Sequence, residues 1–296
     1  MMTRVTLGEL LQKCTALLSQ RSGASWDPSR EAWLLVGRVL GFSPAECVRL
    51  SQDPLHALFP SWEDPQEHLL RLAKQRVAGV PLAYLTHYVP FFDHLFFVHP
   101  FVFIPRPETE ELVELLLKET HEKEACRVAE LGAGTGNIGI SALLNRPLWE
   151  WHAWEKSQTA VRCAKLNQVR LLDPGHHYHV AQGDFFSESP SAPSFDWVVS
   201  NPPYVPTSQL SQLDHEVQFE PPLALDGGRY GFELPEKLIR FSLSLLRPGG
   251  RILLEVDATQ GPLLQDLAQE LGLRYALFPD LSNKTRFFLA NAPSDH

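Results

Sequence analysis

The chain has few of the residues that hold small secreted or metal-built proteins together. Its 296 residues include only four cysteines, Cys14, Cys47, Cys126 and Cys163, which are far apart and form no CxxC pair. That excludes a disulfide framework and suits thiols kept reduced in a cytosol. Of the twelve histidines, His176, His177 and His179 cluster, but no cysteine or carboxylate accompanies them at ligand spacing. They read as a polar lead-in to a strand, and no metal is expected. No uncharged apolar run approaches ~18 residues, so no membrane span is expected. The N-terminus shows none of the regions of a secretory signal. A basic surplus is missing too. The formal net charge is −9, the opposite of the broad basic surface carried by proteins that bind nucleic acid through its phosphates. With 44% hydrophobic and 21% charged residues the chain can bury a sizeable core. It reads as a cytoplasmic protein of one or two domains.

Residues 1–85 read as a small helical domain. Thr6 and Glu9 form a capping box, and Leu7, Leu10, Leu11, Cys14, Leu17 and Leu18 follow at helical spacing. Gly23 lies just past that helix. Three further helices are expected to open on a capping residue followed by proline, at Asp27-Pro28, Ser43-Pro44 and Asp64-Pro65. Gly41 and Gly79 are expected to stop two of them. This segment is nearly neutral, with 9 Lys+Arg against 8 Asp+Glu, which suggests a docking element or a purely structural cap. Residues 86–104 are aromatic and β-branched with turn signals, which predicts a β-hairpin linker. Pro107 then opens an acidic helix. Residues 105–296 alternate strands and helices. Strands are expected at Arg127–Leu131, Trp149–Trp154, His177–Ala181, Phe195–Ser200, Arg251–Val256, Arg274–Phe278 and Arg286–Ala290. The fold class is therefore α/β, a Rossmann-like sheet with helices on both faces. Residues 205–232 show little periodicity and read as a long loop, of a length that is usually functional or disordered.

Two segments at strand ends carry chemistry. Glu130-Leu131-Gly132-Ala133-Gly134-Thr135-Gly136 stands where the first strand of the sheet turns into a helix, the position at which ligands bind in such sheets. A dinucleotide site would want GxGxxG, and Asn137 stands where the third glycine should be. The run instead resembles motif I of the class I methyltransferases. That resemblance implies that Gly132, Ala133, Gly134, Thr135 and Gly136 flank the methionine part of S-adenosyl-L-methionine, with Glu130 neutralising its amino group directly or through water. Glu155 follows Gly136 by nineteen residues and ends the second strand, where a carboxylate accepts ribose hydroxyls. Asp184 and Phe185 end the third strand, placed to accept from the adenine amino group and to cover its ring. A strand-end carboxylate alone is a weak signal; their order along successive strands is what counts.

Asn201-Pro202-Pro203-Tyr204 follows the fourth strand. The prolines fix φ and donate no N–H, so the turn is rigid and offers carbonyl oxygens without competing donors. The residue before a proline is pushed to extended geometry, which aims Asn201 out of the strand. The Asn201 side-chain oxygen and the Pro202 carbonyl suit a substrate –NH₂ with two donors, and Tyr204 can stack on its plane. These residues, Asn201, Pro202 and Tyr204 foremost, are the candidate catalytic and substrate-binding group, and the methyltransferase resemblance implies that Asn201 also contacts the donor. The tetrapeptide resembles that of enzymes that methylate exocyclic amino or amide nitrogens.

Other segments narrow that choice. Gly79–Leu85, Ile104–Glu110 (IPRPETE), Phe219–Leu225 (FEPPLAL) and Asp280–Arg286 are similar to those of the peptide chain release factor N5-glutamine methyltransferases, the PrmC/HemK family. The resemblance covers the chain from about residue 79 to its end. It implies methyl transfer from S-adenosyl-L-methionine, leaving S-adenosyl-L-homocysteine, to the glutamine of the Gly-Gly-Gln motif in class 1 release factors. It further implies that the helical domain docks that protein, with neither nucleic acid nor membrane required. Glu130 and Glu155 stand where the family often has Asp, and Phe185 where Trp also occurs. The alternatives are a ribosomal-protein glutamine methyltransferase, a DNA or RNA amino-methyltransferase, and a non-catalytic release-factor-binding module that kept the fold. The acidic balance and the intact motifs weigh against the last two.

Overall fold

In the computed structural model, residues 5–21, 26–58, 65–121, 124–187 and 194–293 are described. The contacts divide the chain into two units. One holds residues 1–88 together with His215–Phe219, and the other holds Val89–Asp214 and Glu220–His296.

The first unit is helical: α1 Leu7–Leu18, α2 Pro28–Leu40, α3 Pro44–Arg49, α4 Leu55–Leu58, α5 Pro65–Val77 and α6 Leu82–Thr86. Sequence punctuation explains its boundaries. The Thr6 hydroxyl accepts from the Glu9 N–H at 3.2 Å while the Glu9 carboxylate accepts from the Thr6 N–H at 3.0 Å, satisfying two amides that a helix start leaves orphaned. Ser43 and Glu46 repeat the box on α3, and Asp27 caps α2. Gly41 ends α2 in the left-handed conformation. The expected cap at Asp64 and stop at Gly23 lie outside the described residues. Leu7, Leu10, Leu11, Cys14 and Leu18 form one buried stripe packed with Leu35, Val36 and Leu69. Arg76, only 5% exposed, is paired with Glu31 at 2.8 Å and Glu216 at 2.9 Å, and Glu216 also takes Arg21. Both guanidiniums lie over the Trp26 ring. A buried cation persists only when so compensated. Glu216 belongs to the pentapeptide His215–Phe219, whose membership of this unit the sequence did not signal.

The chain enters the second unit within the hairpin β1 Tyr88–Phe91 and β2 His94–Phe97, which is followed by α7 Pro107–Lys118. Then come β3 Arg127–Leu131, α8 Asn137–Asn145, β4 Glu150–Glu155, α9 Gln158–Leu171, β5 His177–Gln182, β6 Phe195–Ser200, α10 Glu233–Leu245, β7 Leu246–Glu255, α11 Gly261–Glu270, β8 Arg274–Pro279 and β9 Thr285–Asn291. The strand order is β5-β4-β3-β6-β7-β9-β8. The first five strands run parallel and β9 is antiparallel to both its neighbours. The chain starts mid-sheet, builds β4 and β5 outward, then returns to lay β6 beside β3. The crevice at that reversal is where ligands bind in doubly wound sheets.

Strand alternation supplies two cores. Leu253 and Val199 face one side with Leu112, Leu116, Ile140, Trp149 and Trp151. Ile252, Leu254 and Val198 face the other with Leu238, Ile239, Leu264 and Leu267. The expected linker hairpin is not a mere connector, for Phe91 and Phe96 are fully buried in the first of these cores. Asn167 on α9 fastens it further, accepting from Phe97 N and donating to the Phe97 and Thr135 carbonyls.

Two expectations are corrected. Strand β7 begins at Leu246, not Arg251, because Leu246 pairs with Phe195 and the Pro248-Gly249-Gly250 segment forms an irregularity inside the strand. The region 205–232 is not structureless. It carries 3₁₀ turns at Thr207–Gln212, Val217–Phe219 and Pro222–Ala224, and Val205 bridges to Asp226.

Candidate active site

The glycine turn connects β3 to α8. The N–H groups of Gly132 and Ala133 donate to the Trp154 carbonyl at 2.9 and 3.2 Å, so the turn is anchored to the end of β4. Its three glycines all have positive φ but do different work. A Cβ on Gly132 or Gly134 would meet nothing within 4 Å, whereas one on Gly136 would lie 2.8 Å from the Tyr178 hydroxyl and close to Ile140 and Ala164. The first two face open space; the third lets α8 pack down on the sheet. The Thr135 hydroxyl donates to the Asn137 side chain, and both residues are buried.

Around this turn stand the expected carboxylates. Glu155 accepts from Gly134 N at 2.9 Å and Ser157 N at 2.8 Å; burial pushes its pKa up despite those bonds. Glu130 is fully buried beneath the turn. One carboxylate oxygen accepts from the Trp151 indole at 2.7 Å and the other has no partner. Burial pushes its pKa up to about 8, with Glu155 adding to the effect. Asp184 accepts from Phe186 N at 3.1 Å and lies 3.5 Å from Lys156. Phe185 packs against Phe186 and Phe241.

The acceptor turn leaves β6, whose residues pair with β3 as Val128↔Trp197, Ala129↔Val198 and Glu130↔Val199. Glycine turn and Asn201 therefore emerge from adjacent strand ends. The Asn201 amide nitrogen donates to the Thr109 hydroxyl at 3.0 Å, and that hydroxyl donates to Glu255 at 2.7 Å. The Tyr204 hydroxyl donates to the other Glu255 oxygen at 3.4 Å. Burial pushes the Glu255 carboxyl up to about 7 and raises the Tyr204 phenol well above its usual range.

The backbone of the turn is clamped as well. Gly227 packs so closely that a Cβ there would lie 2.7 Å from the Tyr204 Cα and 2.8 Å from the Pro203 carbonyl oxygen. IPRPETE and FEPPLAL meet in space: buried Glu220 accepts from Ile104 N at 3.0 Å and pairs with Arg106. Thr109, Glu220, Gly227 and Glu255 were not among the expected site residues. Glu255 could have been found, since it ends a strand just as Glu155 does. Among the described residues no group of three or more His, Cys, Asp or Glu is arranged to hold a metal, and no helix is long and apolar enough to cross a membrane.

Residues 9–86 match the family model described as PrmC N-terminal domain, and residues 106–217 match the Methyltransferase small domain. The chain is 33% identical over 293 residues to a release factor glutamine methyltransferase of Moorella thermoacetica, covering 98% of each. A protein of the same description from Deinococcus radiodurans is 31% identical over 284 residues, 96% of this chain and 98% of that one. Among solved structures, the hMettl16 catalytic domain in complex with MAT2A 3'UTR hairpin 6 superposes with a TM-score of 0.53 at 15% identity, covering 76% of this chain and 82% of that chain. That likeness concerns the fold alone.

Proposed function

The chain belongs to the release factor glutamine methyltransferase family, and from that premise we propose that it methylates the side-chain amide nitrogen (N5) of the glutamine in the Gly-Gly-Gln motif of class 1 peptide chain release factors, with S-adenosyl-L-methionine as donor. The observation that carries the reading is that β3 and β6 are neighbours, so the glycine turn and Asn201-Pro202-Pro203-Tyr204 leave the sheet at one crevice.

The residues present suit that donor. Open space lies beyond Gly132 and Gly134, and a buried Glu130 oxygen lacks a partner. Gly132, Ala133, Gly134, Thr135 and Gly136 would hold the methionine portion, and Glu130 would balance its amino group through water. Glu155 would take the ribose hydroxyls, and Asp184 and Phe185 the adenine. Bound there, S-adenosyl-L-methionine supplies a methyl group activated by its sulfonium centre and remains as S-adenosyl-L-homocysteine.

The chain's own task is to prepare a poor nucleophile. An amide nitrogen has its lone pair delocalised into the carbonyl. The Asn201 side-chain oxygen and the Pro202 carbonyl accept its two N–H groups and favour a pyramidal nitrogen. Tyr204 packs against the amide plane, and Pro203 keeps the turn rigid. Orientation of this kind can lower a barrier by roughly 7–11 kcal/mol. The amide proton becomes acidic only after transfer, so no dedicated base is called for. The helical unit is proposed to dock the release factor, and the enzyme to act in the cytoplasm without nucleic acid or membrane.

The test is transfer of labelled methyl groups to a purified class 1 release factor, read by mass spectrometry of the Gly-Gly-Gln peptide. Labelling should vanish when that glutamine is replaced. Continued labelling of the replaced substrate would overturn the assignment.

A further inference from the structure

We propose that Glu255 is the positioning residue of the acceptor turn, acting through Thr109 to fix which end of the Asn201 amide faces the substrate. The inference rests on the functional reading above and deepens it.

An asparagine amide can be turned by half a rotation with little change of shape, exchanging its oxygen for its nitrogen. For a substrate that offers N–H groups, only one of the two orientations accepts. Asn201 therefore needs something that distinguishes them, and a single hydroxyl supplies it. Thr109, on α7, is 1% exposed, and its hydroxyl has one proton. That proton goes to Glu255 at the end of β7, which is itself 1% exposed. Both Glu255 oxygens accept, one from Thr109 and the other from Tyr204, as those of an ionised carboxylate do, and in that arrangement Thr109 has no proton left for Asn201 and can only receive one from it. The amide nitrogen must point at Thr109, as it does at 3.0 Å, and the amide oxygen is turned away. The reverse orientation would set two acceptor oxygens against each other inside the protein.

The same carboxylate takes the Tyr204 hydroxyl on its second oxygen. One group thus orients both ends of the tetrapeptide, the amide through Thr109 and the ring directly. The charged groups that bear on Glu255 are Arg286, which favours its ionised form, and Glu108, which opposes it. The chain Glu255–Thr109–Asn201 spans three separate elements, β7, α7 and the turn after β6, which explains why no local pattern revealed it.

Thr109→Val keeps the shape and removes the hydroxyl. With the release factor as substrate, kcat should fall on the order of 10–100-fold, the range for losing a group that orients a site residue. The dissociation constant of S-adenosyl-L-methionine, measured by calorimetry, should stay within about threefold, and Thr109→Ser should recover most of the turnover. Glu255→Met, which offers Thr109 no acceptor oxygen, provides a second reading should Thr109→Val fail to fold, with the same split of kcat from donor affinity expected. Native turnover in the folded variants would overturn the inference alone, as would equal losses of kcat and donor affinity. A native enzyme that labels no release factor would instead remove the functional reading, and this inference with it.

Discussion

The proposed donor and acceptor halves of the site sit on adjacent strand ends yet are built by opposite means. The glycine turn after β3 works by lacking side chains: its backbone takes left-handed conformations, and two of its glycines leave open space in front of them. The turn after β6 works by lacking freedom. Two prolines fix its backbone, Gly227 presses against it, and Asn201 and Tyr204 are held by Thr109 and Glu255. On the proposed reading, the difference follows from what each half must do. Holding a donor requires a close approach of backbone to ligand, whereas activating an amide requires acceptors that do not move.

The sharpest way to break this comparison is Asn201→Ala. If the halves are separable, kcat should fall on the order of 10²–10³-fold, as when one preorganised polar group is lost from a reacting centre. Donor affinity should change far less, with single-turnover rates and calorimetry supplying the two numbers. Equal losses would mean that Asn201 serves the donor. A smaller effect is expected from Gly136→Ala. It combines a positive φ with the approach of Tyr178 and should cost about 1–3 kcal/mol of stability, read by denaturant unfolding. Gly132→Ala faces open space and should show its larger effect in donor affinity. If the two variants behave alike, the glycines do not divide as their surroundings suggest.

A last effect, spread over several pH units, concerns Glu130. Burial pushes its folded pKa up to about 8, well above the ordinary carboxylate range, so the folded state binds the proton more tightly than the unfolded chain. The stability this confers is present below about 4.5 and is lost as pH rises through about 8. Glu130→Gln, which still offers Trp151 an oxygen, should flatten the fall of Tm across that window. An unchanged slope would mean that the ionised form is not penalised by burial.

Much of this was legible in the residues because the governing rules are local. The capping boxes at Thr6 and Ser43, strand β3 and the helix opening at Pro107 stand where spacing and punctuation placed them. The glycine run and the tetrapeptide at strand ends were equally visible. What stayed hidden depends on contacts between distant segments. Thr109 and Asn201 are 92 residues apart, and Glu220 meets Arg106 across 114. Strand β7 read as starting at Arg251 because nothing local shows that Leu246 already pairs with Phe195. Glu255 is the avoidable omission. The rule that drew attention to Glu155 applies to it unchanged.

The pentapeptide His215–Phe219 has a consequence for anyone who would exchange parts between relatives. The chain passes from one unit to the other between residues 88 and 89, again between 214 and 215, and once more between 219 and 220. A cut after residue 88 therefore yields an incomplete module, because Arg21 and Arg76 lose the Glu216 carboxylate they share. A chimaera that swaps the helical part must carry the pentapeptide with it, so the inheritable piece is discontinuous in the gene.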